Sequence, residues 1–264
     1  MVSRGQKVFY VAVGVLAAWV GAWGFFAPAN VDWALPWIVP PLHARFLGAM
    51  YLSGATFMVC ALFARRWSTI RVIVPMISIW TGTLLLVSLL YLPAFDFSRH
   101  QVWIWFAAYL VYPLVAAWIA WRKRREVEPG PGPAVPGALR RYLVVQGVIV
   151  TLLAVVLLVL PFLAVPVWPW TITPLLTQLY GAPFLAYGLG SLYAARQHAS
   201  ADVRVFLVGT GVFAIGVLLA SVQHLALFSS ANIATWVWFG GFGLASLVLV
   251  AASVALRPVE SRPV

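Results

Sequence analysis

Eight stretches of this chain stay apolar for about 20 residues each, the length that carries a helix across a hydrocarbon core of about 30 Å. Such stretches have few ways to fold. In lipid every backbone N–H and C=O must find its partner inside the structure, and a single run of this length does so as an α-helix. The runs fall at 8–27, 45–64, 70–92, 102–121, 143–163, 175–195, 203–227 and 233–256. The fold class predicted is all-α: an integral membrane bundle of eight transmembrane helices. With 63% hydrophobic residues and 9% charged, the chain cannot cover itself with a water-soluble surface.

The runs are also repeated. PWIVPPLHARFLGA at 36–49 returns as PWTITPLLTQLYGA at 169–182, 133 positions later. The same ungapped shift applied to 8–121 gives 24 identities in 114 positions. Among them are Pro28 with Pro161, Gly48 with Gly181, Ser88 with Ser221, and Trp103, Trp105 and Phe106 with Trp236, Trp238 and Phe239. This is the mark of a tandem duplication. It divides the chain into a first four-helix membrane repeat at 1–121, a basic Pro/Gly linker at 122–140 and a second four-helix repeat at 141–264. An even number of helices per repeat makes the two parallel, related by a pseudo-two-fold axis along the membrane normal.

Charge orients the bundle. Of the 17 Lys and Arg, 15 fall at one end of the spans, leaving Arg45 and Arg99 at the other. Basic residues collect in cytoplasmic loops, so both termini and the linker are predicted cytoplasmic and the protein is placed in the plasma membrane. The same rule explains the net charge of +11 without nucleic acid as a partner. Arg71 and Arg204 are expected to snorkel as anchors at the inner helix ends. The first apolar run continues past a signal-peptide h-region and is expected to be retained as a helix. Cys60 has no partner for a disulfide and is expected to pack as a small apolar group.

Chemistry-bearing residues gather at the outer end. The connections after the first and fifth spans are rich in Pro and Trp and include Trp37 and Trp170. Trp103 opens the fourth span, where indole rings favour the headgroup layer; residues two apart face different ways, so spacing leaves open which rings turn inward. Thr81, Ser88 and Tyr91 lie on one face of the third span, Thr210, Ser221 and His224 on the equivalent face of the seventh. A polar stripe turns towards the bundle interior, either as interhelical hydrogen bonds or as a cavity lining. Arg45 calls for an anion, with Asp32 or Asp96 as protein partners or a headgroup as a ligand. His43, His100 and His224 lack helical ligand spacing, so no metal and no other cofactor is expected. No acidic residue lies mid-span, and no catalytic residue is assigned. Gly181, Gly188 and Gly190, and likewise Gly240, Gly241 and Gly243, are expected at close helix contacts.

The pattern W-x-x-x-P-L-x-A-R-x-x-G-A, formed by Trp37, Pro41, Leu42, Ala44, Arg45, Gly48 and Ala49, resembles that of uncharacterised bacterial multi-pass membrane proteins with a Trp/Pro-rich four-helix module. The resemblance implies the module and no activity. The leading functional expectation is a non-enzymatic protein in the lipid bilayer that binds or passes a small apolar or amphipathic molecule through an outward-facing cavity. That cavity would be lined by Trp37, Arg45, Ser88, Tyr91, Trp103, Trp170, Ser221 and His224. The alternatives are an accessory subunit meeting partner membrane subunits and, third, a membrane enzyme on a lipid or isoprenoid substrate with His224 as acid or base.

Overall fold

A computed structural model describes residues 2–126, 128, 130 and 132–256. The charges expected at Arg257 and Arg262 lie outside the described residues. The helices run α1 (Arg4–Phe26), α2 (Pro41–Phe63), α3 (Ile73–Leu90), α4 (His100–Lys123), α5 (Gly137–Val159), the single turn α6 (Pro161–Ala164), α7 (Pro174–Ala195), α8 (Ser200–Gln223) and α9 (Ile233–Ala255). Short 3-10 turns at Pro28–Trp33, Leu92–Ala94, Val165–Val167 and Leu225–Leu227 close the loops at one end. Among the described residues, seven helices are long and apolar enough to cross a membrane. The chain is a multi-pass membrane protein.

The exception among the long helices is α7. It has 22 residues, enough to span, but Thr177, Gln178, Tyr180, Tyr187 and Ser191 lower its apolar character, and all five are buried. A helix walled in by other helices meets protein rather than lipid, so it tolerates polar side chains that a lipid-facing helix does not.

Local chemistry sets the helix ends. Ser3 and Gln6 form a reciprocal capping box at α1. Pro41 and Pro174 begin α2 and α7, where a missing N–H costs nothing. Thr173 and Asn232 accept the first free N–H groups of α7 and α9. Pro113 interrupts α4, and Ser78 of α3 donates to the Pro113 carbonyl at 2.9 Å, tying the two helices at that point.

The packing is reciprocal. α1 lies on α2 and α5 on α7; α3 lies on α4 and α8 on α9. Between the halves, α2 packs on α8 and α3 on α7. A shift of 133 residues turns each of these pairs into the other. Gly48 on α2 and Gly181 on α7 permit the tight pairs: a Cβ on Gly48 would lie 2.3 Å from the Phe25 backbone nitrogen, and one on Gly181 2.7 Å from Leu158 Cγ. The glycines of α9 behave differently from expectation. Gly240, Gly241 and Gly243 have no atom within 4 Å of a built Cβ, because α9 presents that side to open space.

A hydroxyl relay joins the halves at mid-depth. Tyr187 of α7 donates to Ser53 Oγ at 2.7 Å, and Ser53 of α2 donates to the Gly209 carbonyl of α8 at 2.6 Å. At the basic end, Arg71 does not snorkel. It pairs with Asp202 at 2.7 Å, and both side chains are buried. Asp202 sits in the first turn of α8, where the helix dipole favours an anion, and it also accepts from the Gly130 N–H at 3.0 and 3.1 Å. The linker is thereby docked, with Val135 donating to the His198 carbonyl and Ser200 to the Pro133 carbonyl, each at 2.9 Å.

Candidate functional site

The candidate residues at the outer end form two constructions. In the first half, Ser88 donates to the Leu84 carbonyl at 2.7 Å and accepts the Trp105 indole N–H at 2.9 Å. In the second, Ser221 donates to Val217 at 2.8 Å and accepts from Trp238 at 3.0 Å. The serine of each polar stripe is thus spent on holding α3 to α4 and α8 to α9. Trp37 packs on Phe95 and Trp105 with ring centroids at 5.2 and 4.9 Å; Trp170 packs on Phe228 and Trp238 at 5.2 and 4.8 Å. Trp103 and Trp236 are 61% and 64% exposed, against 6% and 7% for Trp105 and Trp238, which separates an outer belt from an inner cluster.

Arg45 and His224 meet across the halves. Arg45 Nη1 donates to His224 Nε2 at 2.7 Å, which requires the ring proton on Nδ1. Burial first, and then the Arg45 charge, hold His224 below its ordinary value. Neither carboxylate weighed for Arg45 is engaged with it. Asp32 lies 3.9 Å from Arg99, and Asp96 accepts from Ser98 Oγ at 2.6 Å and Ser98 N–H at 3.0 Å. Tyr91 occupies the position equivalent to His224 and is half-buried. Beside this pair, His43 donates to the Thr171 carbonyl at 3.2 Å and accepts from Tyr180 at 2.6 Å, so both ring nitrogens are committed.

A larger cavity lies elsewhere. A cleft of about 450 Å³ runs along the second half, with α5 and α9 as its sides and α7 and α8 as its floor. None of the eight candidate residues lines it. Val145, Ile149, Val237 and Leu244 line it and are themselves exposed, so it is open along the side of the bundle between α5 and α9. Among the described residues none of its lining side chains is charged. Its polar groups are few: Gln146 Oε1, Thr210 Oγ1 and Trp168 Nε1 belong to lining residues and have no hydrogen-bond partner. Unpaired buried polar atoms also occur elsewhere in the bundle, Trp37 Nε1 and Ser191 Oγ among them; these three are the ones that belong to residues lining the cleft.

The equivalent region of the first half is shut. Two small pockets remain between α1 and α4, of about 60 and about 50 Å³, and the residues lining them include Val13, Leu16, Trp105, Tyr109 and Tyr112. Tyr112 reaches from α4 to donate to the Ala12 carbonyl of α1 at 3.1 Å, and the Tyr51 and Tyr109 hydroxyls bond each other across the floor. The second half has Ala245, Phe184 and Phe242 at those three positions. Loss of the Tyr112 ring and of every hydroxyl leaves nothing to draw α9 onto α5.

Sequence reasoning missed this cleft, although a signal for it existed. In the aligned repeats, Tyr112 becomes Ala245 while Val13 and Ile77 become Gln146 and Thr210, so a large side chain disappears where two polar ones arrive. Among the described residues no group of three His, Cys, Asp or Glu is placed to hold a metal ion. No protein family, curated protein or solved structure matches the chain.

Proposed function

We propose that the protein holds a small apolar or amphipathic molecule in the α5–α9 cleft, within a bundle of eight spans built from parallel repeats at 1–121 and 141–264. The observation that carries this reading is a sideways-opening, uncharged cleft of about 450 Å³ with unpaired polar atoms on its lining residues. Its size falls within the roughly 300–1,000 Å³ of small-molecule sites, and its opening lets a membrane-dissolved ligand enter without crossing water. The eighth span is α7, whose polar content suits a helix surrounded by protein. The pseudo-two-fold is supported by the reciprocal α2–α8 and α3–α7 contacts. The basic clusters at one end of the spans support cytoplasmic termini in a plasma-membrane protein.

Native mass spectrometry of gently purified protein, paired with the double variant Ala245→Tyr, Phe242→Tyr, tests the reading. The expected result is a stoichiometric neutral molecule on the wild type and none on the variant. A second reading, an accessory subunit, draws on the open side of α9 at Gly240 and Gly243, where a partner helix could approach closely. A co-purifying polypeptide, with no small molecule, would favour it.

A further inference from the structure

The cleft carries information about the chemistry of its occupant. Gln146 is nine residues from the start of α5 and Thr210 ten from the start of α8, two helices that begin at the same end of the bundle. At 1.5 Å per residue both lie about 14 to 15 Å in, close to the middle of a core of about 30 Å. Both line the cleft, and Gln146 Oε1 and Thr210 Oγ1 both lack a partner. Water is scarce at that depth, and an orphaned polar atom there costs free energy without compensation.

Their equivalents sharpen the point. Val13 and Ile77 stand at the same positions in the first half and line its pocket of about 60 Å³. The polar groups lining the first-half pocket, the hydroxyls of Tyr51, Thr81, Tyr109 and Tyr112, are all spent on bonds within the protein, whereas Gln146 Oε1 and Thr210 Oγ1 on residues lining the larger space are not.

The surroundings narrow the class further. With no charged residue in the lining, a carboxylate, phosphate or ammonium group at this depth would be uncompensated. The floor is aromatic: Phe213 stacks on Tyr187 with centroids 4.6 Å apart and 3° between planes, and it meets Phe242 edge-on at 5.7 Å. Thr210 lies one turn from Phe213 on the same face of α8, so its hydroxyl and the ring surface are presented side by side. The lined stretch of α9 runs from Ala234 to Leu249, on the order of 20 Å along the helix. That length exceeds what a lone ring needs.

We propose that the cleft selects a neutral lipid made of a flat ring bearing carbonyl or hydroxyl groups and an apolar tail, the chemistry of a prenylated quinone or phenol. The ring lies against Phe213 and Phe242 at mid-membrane. Gln146 and Thr210 supply its hydrogen bonds, Thr210 as donor or acceptor and Gln146 through either end of its amide. The tail follows α5 and α9 towards one membrane face. This rests on the reading of the cleft as a ligand site.

The test titrates full-length protein by native mass spectrometry with two probes, a decyl-substituted benzoquinone and hexadecane. Hexadecane has the tail without the polar ring. Wild type should bind the quinone at least about tenfold more tightly. Gln146→Val and Thr210→Ile, which install the first-half residues, should each weaken the quinone by about tenfold without weakening hexadecane, and an unfolding midpoint no lower than that of the wild type shows that the variants fold. Equal affinity for the two probes, or quinone binding indifferent to both substitutions, would overturn the selectivity while leaving a ligand-holding cleft. If neither probe binds the wild type, and Ala245→Tyr with Phe242→Tyr changes nothing, the cleft reading itself fails and the inference with it.

Discussion

The two halves of this protein share a plan and differ in what they enclose. In the first, Tyr112 bridges α4 to α1, and Tyr51 and Tyr109 close the floor. In the second, Ala245, Phe184 and Phe242 take those places, and a cleft of about 450 Å³ opens between α5 and α9. The scaffold elements are alike in both: the Ser–Trp hydrogen bonds, the Trp–Phe clusters, the helix starts. In a chain of two like halves, one can keep a packed wall that secures the bundle while the other is free to open one. A few side chains at the helix seam decide which, because an interior as dense as a protein's responds to the loss of a single ring.

The strongest way to break the comparison is to exchange the seam. Giving the second half the first-half residues, Ala245→Tyr with Phe242→Tyr, should lower affinity for hexadecane by roughly 100-fold or abolish binding, as read by native mass spectrometry. Undiminished binding would place the ligand elsewhere. The reverse exchange, Tyr112→Ala with Tyr109→Phe, should cost about 3 kcal/mol, observable as a lower thermal unfolding midpoint in detergent, and should let the first half take up hexadecane as a second equivalent. If stability fell and no second site appeared, the tyrosines would be shown to hold α4 without plugging a cavity.

A smaller effect should be equal in the two halves. Ser88→Ala and Ser221→Ala each strand a buried indole N–H, and each should cost about 1–2 kcal/mol. Unequal losses would mean that the shared scaffold is not shared energetically.

The smallest effect concerns the contact that only one pairing of helices makes. Arg45 with His224 joins α2 to α8, whereas the equivalent Gln178 donates instead to the Leu158 carbonyl at 2.6 Å. His224 is held below the ordinary value of about 6.5, so the folded protein binds fewer protons than the unfolded chain as pH falls through that value. The contribution is fully present above about 6.5 and is lost as pH drops towards the lowered folded value. Arg45→Met should raise the His224 titration midpoint in an NMR pH series, by well under the shift that burial alone imposes, since burial is the larger cause.

What the sequence determined by itself was everything that depends on composition along one stretch of chain. Apolar runs of about 20 residues set the helices, Pro and Gly set their breaks, basic clusters marked one end, and the 133-residue shift announced two like halves. Seven of the eight runs emerged as helices apolar enough to span, and the eighth, α7, is a long helix at its expected place. Tertiary structure decided whatever depends on which distant side chains meet. Trp105 and Trp238 turn inward while Trp103 and Trp236, two residues away, turn out. Arg71 finds Asp202 from 131 positions away instead of snorkelling. The cleft lies in one half and not the other. Lipid dictates only that each helix satisfy its own backbone, so a single helix carries its own reason to exist; the space between two helices is fixed by volumes and hydroxyls contributed from both.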